Sequence, residues 1–374
     1  MKTILALLLS LTASLTAEDR LPAPHSTRGL YDFRDVVGVV PQAEGIDVYW
    51  QHTNEFEEPV VPKLMRTTVS SDGTSRLSRV LIHEFEGATS RGVAGEGTNV
   101  QALWMTFPDG IFASPVVNGA LKYPEGKLVA SFGDYPGMTC HASECAVIYS
   151  LSGKQHATIL DADSNAVSSF PLPDGFFPQG IAFSEQGLFF VRHQLTEVRA
   201  ALVRRDGSVQ YDVAIADADP GAFHAGPLAI ARNGARHVVA FVDYAPEPDE
   251  VHAITISADG TFSAPVRLLR TVRHPDLPAN VGALSLAWNG TTYVLGGGYV
   301  IGAPFLMRFD SAFRPLDAEP QRGAGVPWAT LHADGQRFVI IWSAPMPFLT
   351  VLSPNGEMTP ALHLDPVPRR RSVR

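Results

Sequence analysis

Histidine, arginine, tyrosine and acidic residues come together at a few short places in this chain: His83 and Arg91, Asp134 and Tyr135, Asp219 and His224, Arg273 and His274. Histidine can act there as a ligand or as a general base near neutral pH. Two carboxylates brought to one pocket could cleave a glycosidic bond. A histidine with arginine and tyrosine converging on one pocket would also point to catalysis. The same groups held apart would only bind.

None of the spacings is a catalytic signature. The chain has no His-Glu-x-x-His pair for a zinc-binding helix and no Gly-x-Ser-x-Gly elbow. Gly95-Glu96-Gly97 lacks the third glycine and the following helix of a dinucleotide site. Asp161-Ala162-Asp163-Ser164-Asn165 begins like a calcium loop but lacks the glycine and the closing glutamate. The two cysteines, Cys140 and Cys145, flank His141-Ala142-Ser143-Glu144. A disulfide across that turn is expected in an oxidising compartment. A metal would need further ligands, and His141 alone does not complete the set. No metal and no cofactor is expected.

What positions these residues is a repeated unit. An apolar run, a tight turn and a second apolar run recur along the chain. The turns are Glu44-Gly45, Glu96-Gly97-Thr98-Asn99, His141 to Glu144, Glu185-Gln186-Gly187, Asn233-Gly234, Asn289-Gly290 and Asp334-Gly335. In Asn289-Gly290 both residues are expected at positive φ, as in a two-residue hairpin. Each unit then carries a second hairpin, at Asp72-Gly73, Asn118-Gly119, Asp163-Ser164-Asn165, Asp206-Gly207, Asp259-Gly260, near Ser311-Ala312, and at Asn355-Gly356. Two hairpins make four antiparallel strands. A four-stranded sheet cannot cover its own faces, so stacking such units in a ring predicts a β-propeller. Gly92, Gly137, Gly180, Gly226, Gly282 and Gly325 precede or open first strands, where inner strands crowd the channel. Gly296-Gly297-Gly298 reads as a flexible connection, and Asn289-Gly290-Thr291, formally a glycosylation sequon, as a turn.

Alternating strand direction puts both hairpin turns of a unit on one face. The longer connections lie on the other, and function favours such loops on a rigid scaffold. His83, Arg91, Asp134, Tyr135, Asp219, His224, Arg273 and His274 fall on the longer-connection face. His224 and His274 lie in unit-to-unit loops near the expected channel mouth. His52, His156 and His193 sit nearer to strands and read as structural. The ring closes either by packing unit one on unit seven, or by adding Leu30-Tyr31-Asp32-Phe33 to unit seven as an outer strand.

These units resemble the degenerate repeats of secreted bacterial β-propeller proteins, of the type apolar-Ala-x-Asn-Gly-x-x-Tyr-apolar-Val-x-Trp followed by an Asp-Gly-Thr turn. Ala231 to Phe241 and Ala287 to Leu295 match the first part. Ser71-Asp72-Gly73-Thr74 and Ser257 to Thr261 match the second. The resemblance covers residues about 36 to 366 and implies a scaffold, not an activity.

Lys2 and the apolar run Ile4 to Leu11 read as a secretory signal peptide ending near Ala17. No later stretch has the roughly 18 continuous apolar residues of a membrane span. The net charge of -9 disfavours nucleic acid, and Arg369-Arg370-Arg371 reads as a solvated tail. The chain is therefore expected to be all-β: a propeller of seven four-stranded blades, with six or eight as the neighbouring counts. Residues 1–17 would be the signal, 18–35 a lead-in, 36–366 the propeller and 367–374 a basic tail. The expected role is a secreted or periplasmic monomer, not catalytic, binding a macromolecule or glycan through the longer-connection face. The rival is an enzyme, a glycan hydrolase or lyase working at the channel mouth. A third reading, a structural part of a larger assembly, would show as a large exposed apolar patch.

Overall fold

The computed structural model describes residues 32–42, 45–54, 61–85, 88–106, 109–131, 133–173, 180–194, 197–217, 227–243, 249–270, 281–299, 304–322, 329–333, 335–342 and 348–364. Every regular element among them is a strand. The strands form seven antiparallel sheets paired in chain order, over residues 32–84, 88–130, 134–171, 180–217, 228–270, 281–322 and 329–363. This is a seven-bladed β-propeller. In blade two the outermost strand is split into Ala120–Leu121 and Lys127–Ala130, both paired to Gly110–Val117.

Burial between blades holds the ring together. Seven apolar clusters of described residues each fill one interface between consecutive blades. The seventh joins Val39, Ile46, Val48 and Val69 of blade one to Val339, Ile341, Leu349 and Val351 of blade seven. Closure is thus by side-chain packing. Asp32 and Phe33 belong to the innermost strand of blade one, opposite Asn54 and Thr53. They do not extend blade seven; Leu30 and Tyr31 lie outside the described residues. Thr67 Oγ1 also donates to the Leu364 carbonyl at 3.4 Å, and Arg337 donates to the Ser71 carbonyl.

One layer recurs around the ring. The second strand of six blades places a large ring on the face turned to the preceding blade: Trp50, Trp104, Tyr149, Phe190, Phe241 and Trp342. Their cross-strand partners on the third strand are Met65, Phe112, His156, Ala201, His252 and Phe348. The indoles of Trp50 and Trp342 each find a threonine hydroxyl, Thr67 at 3.0 Å and Thr350 at 2.9 Å. Blade six has Gly297 at this position, opposite Phe305. A Cβ on Gly297 would lie 2.3 Å from Cζ of the Phe305 ring. The ring of the third strand therefore occupies the place of the missing one. Gly296, Gly297 and Gly298 are buried strand residues, not a flexible connection, and Leu331 and Phe305 fill the space that side chains at Gly296 and Gly297 would need.

The second hairpins share one turn geometry in six blades. The N–H of residue i+3 bonds the carbonyl of i, with i being Ser70, Asp161, Arg204, Ser257, Asp310 and Ser353, and the N–H of i bonds the carbonyl of i+4, or of i+5 (Ser75) in the one-residue-longer turn of blade one. Residue i+3 has positive φ: Gly73, Ser164, Gly207, Gly260, Phe313 and Gly356. This is a type I turn closed by a left-handed residue. Ser311-Ala312 belongs to the same turn, with Phe313 at φ 61° in place of glycine.

Asn289 departs from the sequence expectation. Trp288 pairs with Tyr293, so four residues form the loop, and only Gly290 has positive φ, at 100°. The Asn289 side chain is buried; it accepts from the Thr292 N–H at 2.8 Å and donates to the Gln336 carbonyl of blade seven at 2.6 Å. That engagement leaves no room for a glycan on it. The crowding expected of glycines at first strands holds at Gly180, where a Cβ would meet Ile230 at 2.8 Å, but at Gly137 the approach is an ordinary 3.6 Å.

Two stability measurements check these arguments. Gly260 and Gly335 have matching φ, 88° and 87°, but a Cβ at 260 would lie 2.8 Å from the Tyr211 ring while none of its neighbours comes within 4 Å at 335. Both alanine variants lose about 1–2 kcal/mol of backbone energy. Gly260→Ala is expected to lose about 1–3 kcal/mol more, read as a lower urea midpoint. The second concerns His237, buried between blades four and five and stacked on Phe189 at 4.0 Å and 4°. Neither ring nitrogen has a hydrogen-bond partner. Burial, then the Arg232 charge, pushes its pKa down to about 4. The folded state therefore holds a neutral ring. Stability is full above the ordinary histidine value and falls with pH between about 6.5 and 4, by about 3 kcal/mol. His237→Phe should keep the stacking and flatten that part of the thermal-midpoint profile against pH.

Candidate functional site

The residues singled out from sequence are placed unevenly. His224, His274, Arg273 and Asp219 lie outside the described residues. Asp134 and Tyr135 open the innermost strand of blade three (Asp134–His141), and Arg91 lies in that of blade two (Ala88–Glu96). All three strand positions are at or towards the longer-connection end. His83, on the outermost strand of blade one (Arg76–Glu84), packs edge-on to Phe85 at 4.7 Å and lies 6.3 Å from the Trp104 ring of blade two. Burial pushes its pKa down. His156 stacks on Tyr149 at 5.9 Å, in keeping with a structural role.

A groove of about 460 Å³ opens at the longer-connection end of the interface between blades four and five. The outermost strand of blade four (Val209–Asp217) supplies Ala214, Ala216 and Asp217. The second strand of blade five (Arg236–Asp243) supplies Phe241 and Asp243, and the third (Glu250–Ile256) supplies His252. The volume is in the range of small-molecule sites. The groove is set back from the axis, because no innermost strand lines it.

Its chemistry follows from those side chains. Phe241 tops the apolar core of the interface, and the His252 ring stacks on it at 5.7 Å and 24°. Nε2 of His252 lies 3.2 Å from Glu250, whose other oxygen lies 2.9 Å from Arg267 and 3.7 Å from Arg270. Burial pushes Glu250 up, but the Arg267 hydrogen bond and the Arg267 and His252 charges outweigh it, holding the carboxyl below its ordinary range. His252 therefore sits between the Phe241 ring and the Glu250 carboxylate, with neither ring nitrogen in a well-formed hydrogen bond. Asp217 and Asp243 add carboxylates, which accept hydrogen bonds from hydroxyl or amine groups.

The neighbouring interface shows why the space is open here. Asp243 pairs with Glu250 two residues beyond the aromatic layer. Arg192 pairs with Arg199 at the same place in blade four. Arg192 is 2% exposed, bound to Asp212 at 2.5 Å. A long guanidinium side chain thus occupies the position that a short aspartate leaves free in blade five. Aligning the units on their second-strand aromatic would have shown this, since Phe241-Val242-Asp243 is the copy with an acid there.

Other clusters are committed to structure. Cys140 and Cys145 form the expected disulfide. The turn it closes contacts three other blades: the Ala142 N–H donates to Glu96 at 2.9 Å, Arg232 meets His141 Nδ1 at 3.2 Å, and Glu144 pairs with Arg205. Asp161 accepts the N–H groups of Asp163 and Asn165, and Lys122 pairs with Asp163, so the calcium-like segment is a turn docked on blade two. Exposed large apolar side chains are spread singly over all seven blades, Leu77, Val117, Val167, Val209, Phe262, Leu316 and Met358 among them. No helix among the described residues is long and apolar enough to cross a membrane.

No protein-family model matches the chain. No curated protein matches it in sequence. Similar solved structures share the fold at low identity. The BP39L lectin from Burkholderia pseudomallei matches with a TM-score of 0.61 and 12% identity, over 89% of this chain and 100% of the lectin. Prolyl oligopeptidase B from Galerina marginata matches with a TM-score of 0.57 and 11% identity, over 90% of this chain but 51% of that enzyme. The Dos1 propeller matches with a TM-score of 0.50 and 11% identity, over 89% and 84%. A lectin and an enzyme both appear, so the fold by itself separates neither role.

Proposed function

We propose that this protein is an exported, non-catalytic β-propeller that binds a glycan through its longer-connection face, in the groove between blades four and five. The groove is the observation that carries the reading: a concave site with an aromatic floor, a histidine stacked on it and two carboxylates, on the face that carries the longer loops. Sugars present apolar C–H faces to rings and hydroxyls to carboxylates, and this lining suits both. Asp219 and His224 belong to the connection leaving Asp217, and Arg273 and His274 to the one leaving Arg270. They are candidates to border the same site. The lectin neighbour, the disulfide and the signal-like residues 1–17 support a secreted or periplasmic binding role. The resemblance of the repeats to those of degenerate secreted bacterial propellers supports this reading, and we take the protein to act as a monomer.

One observation favours the enzyme reading: two carboxylates on one groove are the minimum equipment of a glycoside hydrolase. A glycan array run beside a hydrolase and lyase substrate panel separates the two. Binding without turnover is expected. Ala216→Trp should fill the groove and abolish binding while leaving the thermal midpoint nearly unchanged. Turnover lost in His224→Ala, His274→Ala or Asp243→Asn would replace the binding reading with the enzyme. Glycan binding that survives Ala216→Trp would move the site elsewhere.

A further inference from the structure

We infer that Asp212 is a positioning residue of the groove between blades four and five: Arg192 and Arg199 hold it from the opposite face of the sheet, and it sets where the groove wall bulges. Its bearing on glycan binding rests on reading the groove as the glycan site. The wall is the end of the outermost strand of blade four, where Ala214, Ile215, Ala216 and Asp217 all line the space. Consecutive residues of a regular strand alternate between its two faces. A β-bulge accounts for the exception. Arg199 pairs with Ala214 and Val198 with Ala216, so Ile215 is the extra residue. Ile215 and Ala216 both pack on the apolar cluster between blades four and five. Bulges beside functional sites re-aim side chains in this way.

The bulge of blade four is displaced from its place in other blades. In blades one, two and five the third-strand partner of the aromatic is Met65, Phe112 or His252. These pair onward with Leu81, Leu128 and Arg267, and the extra residue follows at once: Ile82, Val129 and Leu268. In blade four the corresponding pair is Ala201 with Asp212, yet the extra residue is Ile215, not Val213. Asp212 explains the shift. Its carboxylate accepts from Arg192 Nη2 at 2.5 Å and from Arg199 Nε at 3.0 Å, and its carbonyl accepts from Arg199 Nη2 at 2.9 Å. Arg199 is itself paired with Ala214. Ties on both sides of Val213 keep the strand regular up to Ala214, and the bulge forms beyond them. The ties come from the far side of the sheet, since Phe190 and Ala201 belong to the cluster between blades three and four. Stability alone does not call for them. Nε and Nη1 of the buried Arg192 have no hydrogen-bond partner. Buried ion pairs of this kind are often replaced by apolar side chains without loss, and blades one and two have leucine where Asp212 stands.

The test compares the full protein with the double variant Arg192→Met/Asp212→Leu, which changes no residue lining the groove and leaves Arg199 its bond to Glu197. The thermal midpoint should stay level or rise. A crystal structure of the variant should show Val213 as the extra residue in place of Ile215. In solution, hydrogen exchange over 213–217 should become about tenfold faster, the factor that one hydrogen bond to a charged group is worth. Exchange of the second strand of blade five, across the groove, should match the parent. A glycan bound by the parent should bind the variant about fivefold more weakly. A bulge that stays at Ile215 with unchanged exchange would overturn the inference. So would a lower midpoint with faster exchange in every blade, which marks a merely structural pair. Undiminished glycan affinity in a variant whose bulge has moved would end the positioning role. If the parent binds no glycan on the array, the glycan reading falls, and the bulge and exchange results still decide whether Asp212 sets the groove wall.

Discussion

A four-stranded sheet carries two apolar faces and can cover neither, and this constraint governs the whole molecule. Each blade buries Val, Ile, Leu and aromatic side chains on both sides of its middle strands, in seven clusters that each span two blades. Burial of one such side chain contributes about 1.5–3 kcal/mol, so no blade is stable without its neighbours. The constraint applies equally to the first and last blades. It is met by direct packing of one on the other, and among the described residues no strand is shared between the chain ends.

The short-turn face adds polar ties to that packing. From blade to blade, a side chain reaches the neighbour's turn: Gln101 to Asp161 and Ala162, Gln210 to Ala258, Asn289 to Gln336, Arg308 to Pro354. Carbonyls in these turns point outward and would otherwise depend on water. The disulfide-closed turn of blade three takes part in more of these ties than a simple hairpin needs, reaching blades two, four and five. One face of the ring is therefore fixed, and the opposite face is where side chains are free to differ.

That difference is where the site arises. The layer beyond the second-strand aromatic has no packing duty that every blade must meet. Arginine there is buried and paired; aspartate there leaves an opening. The groove is a variation at one register position of a repeated scaffold, made visible by the uniformity around it.

The chain's own pattern determined the blades, their number and their order, because turn chemistry and apolar runs act over a few residues. Asn118-Gly119 and Asp259-Gly260 turn where their residue types require. The disulfide was equally local, five residues apart. Only the tertiary structure decided the closure of the ring, the strand role of Gly296 to Gly298, the burial of Asn289 and the groove. Each depends on a partner far along the chain or across the sheet: Val351 for blade one, Phe305 for Gly297, Gln336 for Asn289, and Ala216 facing Asp243 across two blades. Local sequence encodes how the backbone bends, but which side chains meet across an interface is set by the packing of the whole ring.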